Sequence, residues 1–429
     1  MIFNFFYDFL LCFAALIAAP KFLYQRLFYK KYIKNLSQRF GCCFPEIEKK
    51  KRKLIWVHAV SVGETKAVSP LVKKLKKEHP DTLVVCSSVT ETGHAAAKKE
   101  ILEADFHVFL PFDFSWVIKP IVARVKPDLL ILCETDFWYN FIRFCKAQGG
   151  LIVLVNGKMS KRSLNRYKKI GLFTNRLFSL IDLFCLQSTH YKARFLALGI
   201  SEEKIRITGN MKLDSMPFVM NEEELKRFRK TLGISENAFV FVAGSTHKSE
   251  EKLVLDTLKV IWKKNPEVFL ILVPRHPERF DEVAVLLERM NLAFCHYSCY
   301  NEKVVDCKVV LMDAMGLLNR CYQVADLAFV GGSFVQKVGG HNIIEPSWYG
   351  VPVIYGPFMH AQPEFVELMK DYKAGLQVEP EVLAVTFEEL LKNRQKRSGL
   401  GSAGKKMVSE LLGATEKTYS VINRLRNNG

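Results

Sequence analysis

The sequence lacks the short motifs that would assign several common functions. No Asp-x-Asp sequence occurs in its 429 residues, so a metal ion held by that motif is not expected. No Gly-Lys-Ser or Gly-Lys-Thr ending completes a P-loop. No Cys-x-x-Cys pair occurs among the eleven cysteines, several of which lie inside apolar, strand-like runs. Reduced, buried thiols in a cytosolic compartment fit this pattern better than a disulfide framework or a zinc site.

Acidic residues are scarce relative to basic ones. The chain has 62 Lys and Arg against 44 Asp and Glu, which gives a net charge of +18. Such an excess implies an anionic partner, which could be a nucleic acid, an acidic membrane surface or a phosphorylated substrate. No recognisable nucleic-acid motif occurs, and the basic residues are not interleaved with base-stacking aromatics, so we expect no nucleic-acid partner.

One long apolar run occurs, at residues 2–19, with Asp8 as its only charge and Pro20 at its end. Eighteen residues are just enough to cross a bilayer core of about 30 Å. No basic segment precedes the run, so a cleaved secretory signal is not expected. Basic residues follow it, and they suit anionic headgroups: Lys21, Arg26, Lys30, Lys31, Lys34 and Arg39.

This pattern favours one spanning anchor with its basic flank at residues 1–35, followed by cytoplasmic domains. A helix lying in the membrane interface is the alternative, because Asp8 and the many aromatic residues are unusual in a spanning helix. A buried core helix would not explain the basic flank.

From Leu54 onwards, short runs that are apolar on both faces alternate with helical patterns. This alternation predicts doubly wound parallel sheets. We expect one such α/β domain at residues 36–215, a second at 216–402, and a final helix at 403–429 that packs back on the first domain. Two Rossmann-like domains facing a cleft form the GT-B type of glycosyltransferase, with the acceptor on the first domain and the nucleotide on the second.

Glu64 stands out in the first domain because it follows a strand, Leu54–Ala59, and a turn that ends at Gly63. Ligands of open α/β sheets bind at the carboxyl ends of the strands. We interpret Glu64 as a catalytic base. The alternative is a first-turn glutamate that complements the helix dipole, which is common and would lower its pKa. A base at this position therefore needs desolvation to offset the dipole.

Other polar residues follow later strands of the first domain. Glu134 directly follows an apolar run, which predicts a partly desolvated carboxylate, and a functional and a capping role fit equally well. The basic loop Asn156–Ser163 suits an anion, although such loops are usually solvated. Lys212, within Gly209–Asp214, is expected to point into the cleft.

In the second domain, small or basic residues follow two strands. Gly244 and Ser245 form a small-residue loop of the kind that cradles phosphate. Arg275 and His276 suit phosphate or base contacts, and a salt-bridged surface arginine is the alternative.

The densest pattern runs from Gly331-Gly332 through Gly339-Gly340 to Glu345. Asn342 is expected to cap a helix, with Ile343, Ile344 and Glu345 in its first turn. Backbone N–H groups would then hold a phosphate while Glu345 binds ribose hydroxyls.

Six segments occur in a defined order along the chain, and this ordered set is more specific than any one segment. They are His58–Glu64, Glu134–Trp138, Gly209–Asp214, Ala243–His247, Pro274–Phe280 and Gly339–Pro346. Together, over nearly the whole chain, they resemble the 3-deoxy-D-manno-octulosonic acid (Kdo) transferases of lipopolysaccharide synthesis. The resemblance implies a CMP-Kdo donor, a lipid A precursor (lipid IVA) as acceptor, the cytoplasmic face of the bacterial inner membrane, and no cofactor.

The resemblance also implies roles for individual residues. Glu64 matches the general base of an inverting transfer, and Glu134 and Lys212 match positions that stabilise the transition state. The positions that match CMP contacts are Arg275, His276, Met315, Gly316, Asn342 and Glu345. Three residues depart from the family pattern: Asp136, Leu213 and Leu317. Because Leu317 replaces an acid, it puts a side-chain contact at that turn in doubt.

Three alternatives remain from the residues alone. Two are other GT-B enzymes, a UDP-sugar epimerase and a UDP-dependent lipid glycosyltransferase. The third is a membrane-anchored binding protein without catalytic activity.

Overall fold

The computed structural model describes residues 2–29, 35–214, 218–299 and 307–427. The chain forms two units: Met1–Ser215 with Leu412–Gly429, and Met216–Leu411. Each unit contains a seven-stranded sheet whose neighbouring strands are parallel. The predicted class of two doubly wound α/β domains is confirmed.

The sheet of the first unit has the strand order β3-β2-β1-β4-β5-β6-β7. Its strands are β1 (Leu54–His58), β2 (Leu83–Ser88), β3 (Phe106–Phe109), β4 (Leu129–Cys133), β5 (Leu151–Gly157), β6 (Leu183–Leu186) and β7 (Ile205–Ile207). The strand order reverses between β1 and β4, so the switch point that binds ligands in such sheets lies between these two strands.

Helices cover both faces of this sheet. Alternate residues of β1 enter different core clusters, with Leu54 and Trp56 on one face and Ile55 and Val57 on the other. The helices are α1 (Ile2–Tyr29), α2 (Leu36–Arg39), α3 (Val62–Glu78), α4 (Glu91–Glu100), α5 (Ser115–Val125), α6 (Tyr139–Ala147), α7 (Lys161–Lys169), α8 (Gly171–Ser179) and α9 (Thr189–Leu196).

Helix α1 contains an 18-residue stretch, Phe3–Pro20, that is long and apolar enough to cross a membrane. The helix does not end with the apolar run but continues past Pro20 to Tyr29. Arg39, which we counted in the basic flank, is buried instead. Its guanidinium donates to the carbonyl of Val89 and stacks on Phe109, so it cannot serve a lipid headgroup.

The sheet of the second unit has the strand order β10-β11-β9-β8-β12-β13-β14, with its switch point between β8 and β12. Its strands are β8 (Phe239–Thr246), β9 (Val268–Pro274), β10 (Phe294–His296), β11 (Val309–Leu311), β12 (Leu327–Val330), β13 (Val353–Tyr355) and β14 (Gly375–Gln377). Its helices are α10 (Glu222–Thr231), α11 (Glu250–Trp262), α12 (Phe280–Arg289), α13 (Leu318–Gln323), α14 (Pro363–Tyr372), α15 (Leu383–Lys392) and α16 (Arg394–Leu411).

The expected single helix from residue 403 to the end is wrong. Helix α16 begins earlier and belongs to the second unit, and Leu412 and Gly413 separate it from α17 (Ala414–Asn427). Only α17 packs on the first unit, where Ala414 and Ile422 enter a core cluster. The physical reason for the break is a new helix start, because the Asp214 carboxylate accepts hydrogen bonds from Gly413, Ala414 and Thr415.

Candidate active site

Glu64 lies where the sequence predicts it, in the first turn of α3 at the carboxyl end of β1. The N–H of Glu64 donates to the capping hydroxyl of Ser61 at 3.4 Å. Its Oε2 accepts a hydrogen bond from the Val60 N–H at 2.7 Å. Among the described residues its Oε1 has no hydrogen-bond partner, so this oxygen can accept a proton from a substrate hydroxyl.

Glu134 follows β4, on the other side of the switch point, and forms two ion pairs. Lys158 Nζ lies 2.7 Å from Oε2 and Lys212 Nζ lies 2.5 Å from Oε1, while the Glu134 side chain is only 5% exposed. Burial alone would raise the pKa of Glu134, but the two ammonium groups outweigh it and lower the pKa. Glu134 is therefore an ionised carboxylate that holds two cations in place.

Asn156 connects the elements that carry these charges. Its Nδ2 donates to Glu134 Oε1 at 3.2 Å, and its Oδ1 accepts from the Met211 N–H at 3.0 Å, beside Lys212. Glu134 and Asn156 both have left-handed backbones, with φ of +63° and +52°. Such conformations are costly for residues other than glycine and cluster at functional sites.

The carboxylate of Glu64 lies in a setting that favours its protonated form. Burial raises the pKa of Glu64 most, and the negative charges of Glu134 and Asp136 raise it further. The Val60 N–H and His58 oppose this shift without cancelling it. Desolvation and the two carboxylates thus outweigh the Val60 hydrogen bond and the charge of His58.

His58 ends β1 and is buried beside this cluster. Its Nδ1 lies 2.9 Å from Ser87 Oγ, and its Nε2 lies 3.9 Å from the Asp136 carboxylate. That Nε2 has no hydrogen-bond partner within the described residues.

Among all the residues that the structure describes, no group of three or more His, Cys, Asp or Glu side chains is placed to hold a metal ion.

The second unit has a different arrangement around Glu250, the first residue of α11. This carboxylate is 1% exposed and accepts hydrogen bonds from the N–H groups of His247, Gly332 and Phe334 at 2.7–2.9 Å. Burial raises its pKa, although these three bonds oppose the shift. Glu250 therefore fixes the loops that follow β8 and β12 on either side of the switch point.

Three histidines and one arginine lie beside these loops. His247 Nε2 is 2.7 Å from His341 Nε2, and the ring of His276 lies 5.2 Å from that of His247. Burial lowers the pKa of His341 to about 4, and His247, Arg275 and His276 lower it further. The His247 and His341 rings beside the Arg275 guanidinium offer N–H donors and a positive charge, and this set suits an anionic ligand.

Three N–H groups of the expected phosphate cradle in the glycine-rich loop are used within the protein. The N–H groups of Gly339, Gly340 and His341 donate to carbonyls of the same region. No α-helix begins at Asn342, and the next helical element is a 3-10 turn over Pro346–Tyr349. The amides of Gly339, Gly340 and His341 are therefore occupied and cannot hold a phosphate.

Of the other residues predicted in this loop, some belong to the buried core and others keep polar side chains that a ligand could contact. Ile343 and Ile344 are fully buried, and the Ile344 N–H donates to Asn342 Oδ1 at 3.1 Å. Glu345 is half-buried and pairs with Asn342 Nδ2 at 3.3 Å. Burial raises its pKa, while Asn342 and Arg275 lower it. Only Asn342 and Glu345 remain available to a ligand through their side chains.

Gly244 and Ser245 do not form a loop, contrary to the sequence prediction. Gly244 pairs with Val273 and Val330 inside the sheet, and a side chain there would collide with the Tyr322 hydroxyl. Ser245 lies in an irregularity of the strand, with φ of +55°. A close approach of helix α13 to β8 thus explains the glycine.

Met315, Gly316 and Leu317 precede helix α13. Met315 is 57% exposed, Gly316 has a φ of +85°, and Leu317 packs against a core cluster. A backbone contact at this turn is possible for Met315 and Gly316, whereas Leu317 offers no polar side chain.

The sequence did not reveal several members of the two sites. Lys158 appeared only as part of a basic loop, and nothing in the sequence shows that it pairs with Glu134. His247 contacts His341, and Glu250 accepts a hydrogen bond from Gly332, only because loops from different strands meet in the fold. The position of these residues directly after apolar runs was the one available signal.

Comparison with known proteins agrees with the motif pattern. A family profile described as 3-deoxy-D-manno-octulosonic-acid transferase (kdotransferase) matches residues 34–215. A 3-deoxy-D-manno-octulosonic acid transferase of Chlamydophila psittaci is 34% identical, covering 98% of this chain and 96% of that protein. The enzyme of the same name from Haemophilus influenzae is 32% identical, covering 96% and 94%.

A solved structure supports the fold alone. The glycosyltransferase of Rickettsia africae superimposes with a TM-score of 0.60 at 15% identity, covering 88% of this chain and 99% of that one. The near-full-length identity to the two transferases is what assigns the family. This chain belongs to the Kdo transferase family of lipopolysaccharide biosynthesis.

Proposed function

We propose that the chain transfers Kdo from CMP-Kdo to a lipid A precursor, lipid IVA, with inversion at the anomeric carbon. The observation that carries this proposal is the Glu64 carboxylate, which has a raised pKa and lies beside the cations that Glu134 holds. In the same proposal, the first unit binds the acceptor and the second unit binds the donor at the cytoplasmic face of the inner membrane.

The proposed transfer is a single displacement at the anomeric carbon of Kdo. Glu64 Oε1 takes the proton of an acceptor hydroxyl while that oxygen bonds to the anomeric carbon of Kdo. The bond from this carbon to the phosphate oxygen breaks, and CMP leaves with the electron pair. Lys158 and Lys212 suit the acceptor phosphates or the carboxylate of Kdo, since both are anions.

Donor binding is proposed for the side chains of the second unit. Arg275, His276 and His247 suit the single phosphate of CMP, and Asn342 and Glu345 suit the ribose hydroxyls. The Met315-Gly316 turn would contact the nucleotide through its backbone. Calorimetry tests this against a UDP-dependent enzyme of the same fold, because the proposal expects CMP to bind more tightly than UDP.

Replacing Glu64 with glutamine tests the base. The amide oxygen can still accept the Val60 hydrogen bond, so the fold should persist, whereas transfer should fall by about 10²–10⁴-fold. A matched control is E91Q, since Glu91 is also a first-turn glutamate after a strand of this sheet. Mass spectrometry of lipid IVA incubated with CMP-Kdo measures the product. Near wild-type transfer by E64Q would refute the role of Glu64 as base.

A further inference from the structure

Helix α1 is attached to the first unit by its N-terminal end. Asn4 Oδ1 accepts a hydrogen bond from the Tyr139 hydroxyl at 2.9 Å. The Tyr7 hydroxyl donates to the buried carboxylate of Asp113 at 2.8 Å. These polar side chains of an otherwise apolar helix are therefore satisfied by the α/β domain.

Asp8, the only charge of the apolar run, is satisfied in the same way. Its Oδ1 accepts from the Ser115 N–H at 3.0 Å and from Asn140 Nδ2 at 2.8 Å. One turn earlier, the Phe3 ring stacks on Phe173 of α8 at 5.9 Å. The first two turns of α1 thus contact three elements of the first unit.

The opposite side of α1 is a continuous apolar surface, which we call the outer face. Its side chains are 46–76% exposed: Phe5, Phe6, Phe9, Leu10, Phe13, Leu16 and Ile17. Residues 3, 4, 7, 8, 11 and 12, on the side of the α/β domain, are half-buried. Residues 3–12 of the helix therefore have one protein-facing side and one exposed apolar side, whereas residues 13–18 are exposed all round.

These contacts conflict with a helix that crosses the bilayer. Asn4 lies 16 residues before Pro20, which is about 24 Å along a helix axis. In a spanning helix that leaves the membrane at Pro20, Asn4 would lie across most of a core about 30 Å thick. It could not then contact Tyr139 of a domain on the other side.

We propose that α1 lies in the plane of the membrane surface, docked on the first unit, and that its outer face binds an anionic lipid bilayer. The exposed phenylalanines would enter the boundary between headgroups and acyl chains, where aromatic side chains are favoured. Asn4, Tyr7 and Asp8 remain in the protein, so no polar group is left unsatisfied in lipid.

Neighbouring elements extend this surface. Trp116 is 59% exposed and follows Ser115, which contacts Asp8, and Leu172 is 88% exposed and precedes Phe173, which contacts Phe3. Helix α7 contacts α8 and carries five basic residues, no acidic residue and no buried side chain. Basic residues near an anionic membrane surface strengthen binding to it.

The surface lies at the same edge of the sheet as Glu64. Asp113 follows β3 and Tyr139 follows β4, so α1 docks at the carboxyl ends of the strands. If the proposed function holds, a lipid acceptor reaches the catalytic base from the bilayer without leaving it. This consequence rests on the proposed function, whereas the binding surface itself does not.

Flotation of the full chain with phosphatidylcholine vesicles, with or without phosphatidylglycerol, tests the surface. L172E should weaken binding to the anionic vesicles about tenfold or more, and W116E should act in the same direction. The control is L102E, since Leu102 is 76% exposed but lies before β3, at the opposite edge of the sheet. Equal binding of L172E and L102E, with both folded by circular dichroism, would overturn the proposal.

An epitope tag at the N-terminal end distinguishes an in-plane helix from a spanning one. The proposal expects the tag to be protected when protease is added outside spheroplasts and cleaved only after lysis. Cleavage in intact spheroplasts would show that α1 crosses the membrane and would overturn the proposal. Because neither experiment uses donor or acceptor, loss of transfer with intact vesicle binding would count against the proposed function alone.

Discussion

At the residue scale, Glu64 experiences two opposing effects. The dipole of α3 favours the ionised carboxylate, as at any helix start. Burial and the charges of Glu134 and Asp136 favour the protonated form, and they raise the pKa of Glu64 more than the Val60 N–H and His58 lower it. A carboxylate with a raised pKa removes a proton more effectively, provided that it is still ionised at the working pH. If Glu64 is the base proposed above, the acid limb of the pH–rate profile reports the environment of Glu64.

Replacing Asp136 with asparagine should move this acid limb to lower pH. The substitution removes one negative charge that raises the pKa of Glu64, so Glu64 stays ionised, and active as a base, in more acidic solution. The amide oxygen can still accept the hydrogen bond from Trp138 Nε1, which limits structural change. The measurement is kcat against pH for wild type, D136N and the control D81N, in which the exposed Asp81 is replaced. An unchanged limb in D136N would mean that it reports a group other than Glu64.

At the scale of elements, the second unit joins the loops that follow two neighbouring strands of its sheet. The loops after β8 and β12 flank the switch point, and Glu250 joins them through three backbone N–H groups. In the glycine-rich loop, the N–H groups of Gly339, Gly340 and His341 donate to carbonyls of the same region. Arg275 borders the loop after β8, because its N–H donates to the Thr246 carbonyl at 3.0 Å, so its position depends on that loop.

Replacing Glu250 with glutamine should weaken CMP binding. The new amide group would face a backbone N–H, leaving a buried donor unsatisfied at a cost of about 1–3 kcal/mol and displacing one loop. Calorimetry should show affinity for CMP reduced about tenfold or more. The control is E251Q, because Glu251 is equally buried but pairs with Arg279 instead of the loops. If E250Q and E251Q lose thermal stability alike and E250Q keeps its CMP affinity, Glu250 only supports the fold.

At the scale of the whole molecule, the second unit is an insertion in the first. The chain leaves the first unit after Asp214 and returns at Leu412, and Asp214 then caps the returning helix α17. Lys212 lies two residues before this cap and pairs with Glu134. The C-terminal helix thus fastens the segment that supplies a cation to the candidate site.

The sequence predicted this molecule well where local patterns decide the structure. Strand β1, which is apolar on both faces, was predicted nearly to the residue, and Glu64 lies at the expected helix start. Strands β10 and β14 were not predicted, because each has only three residues and none is buried.

The Glu134, Lys158 and Lys212 cluster was not predictable as a cluster, because three separate loops meet only once the sheet has formed. The docking of α1 was hidden for the same reason, since Asp113 and Tyr139 are distant in sequence.

Replacing Asp214 with alanine tests whether α17 supports the candidate site. The three N–H groups at the start of α17 lose their acceptor, which should cost about 1–2 kcal/mol and loosen the segment that carries Lys212. Transfer should therefore fall more than stability alone explains. The control is N221A, because Asn221 caps α10 in the second unit with similar geometry but without contact to Lys212 or Glu134. Both variants are compared by thermal unfolding and by kcat at a temperature where each is folded. An equal loss of activity in D214A and N221A would show that capping acts only through stability and that Lys212 needs no support from α17.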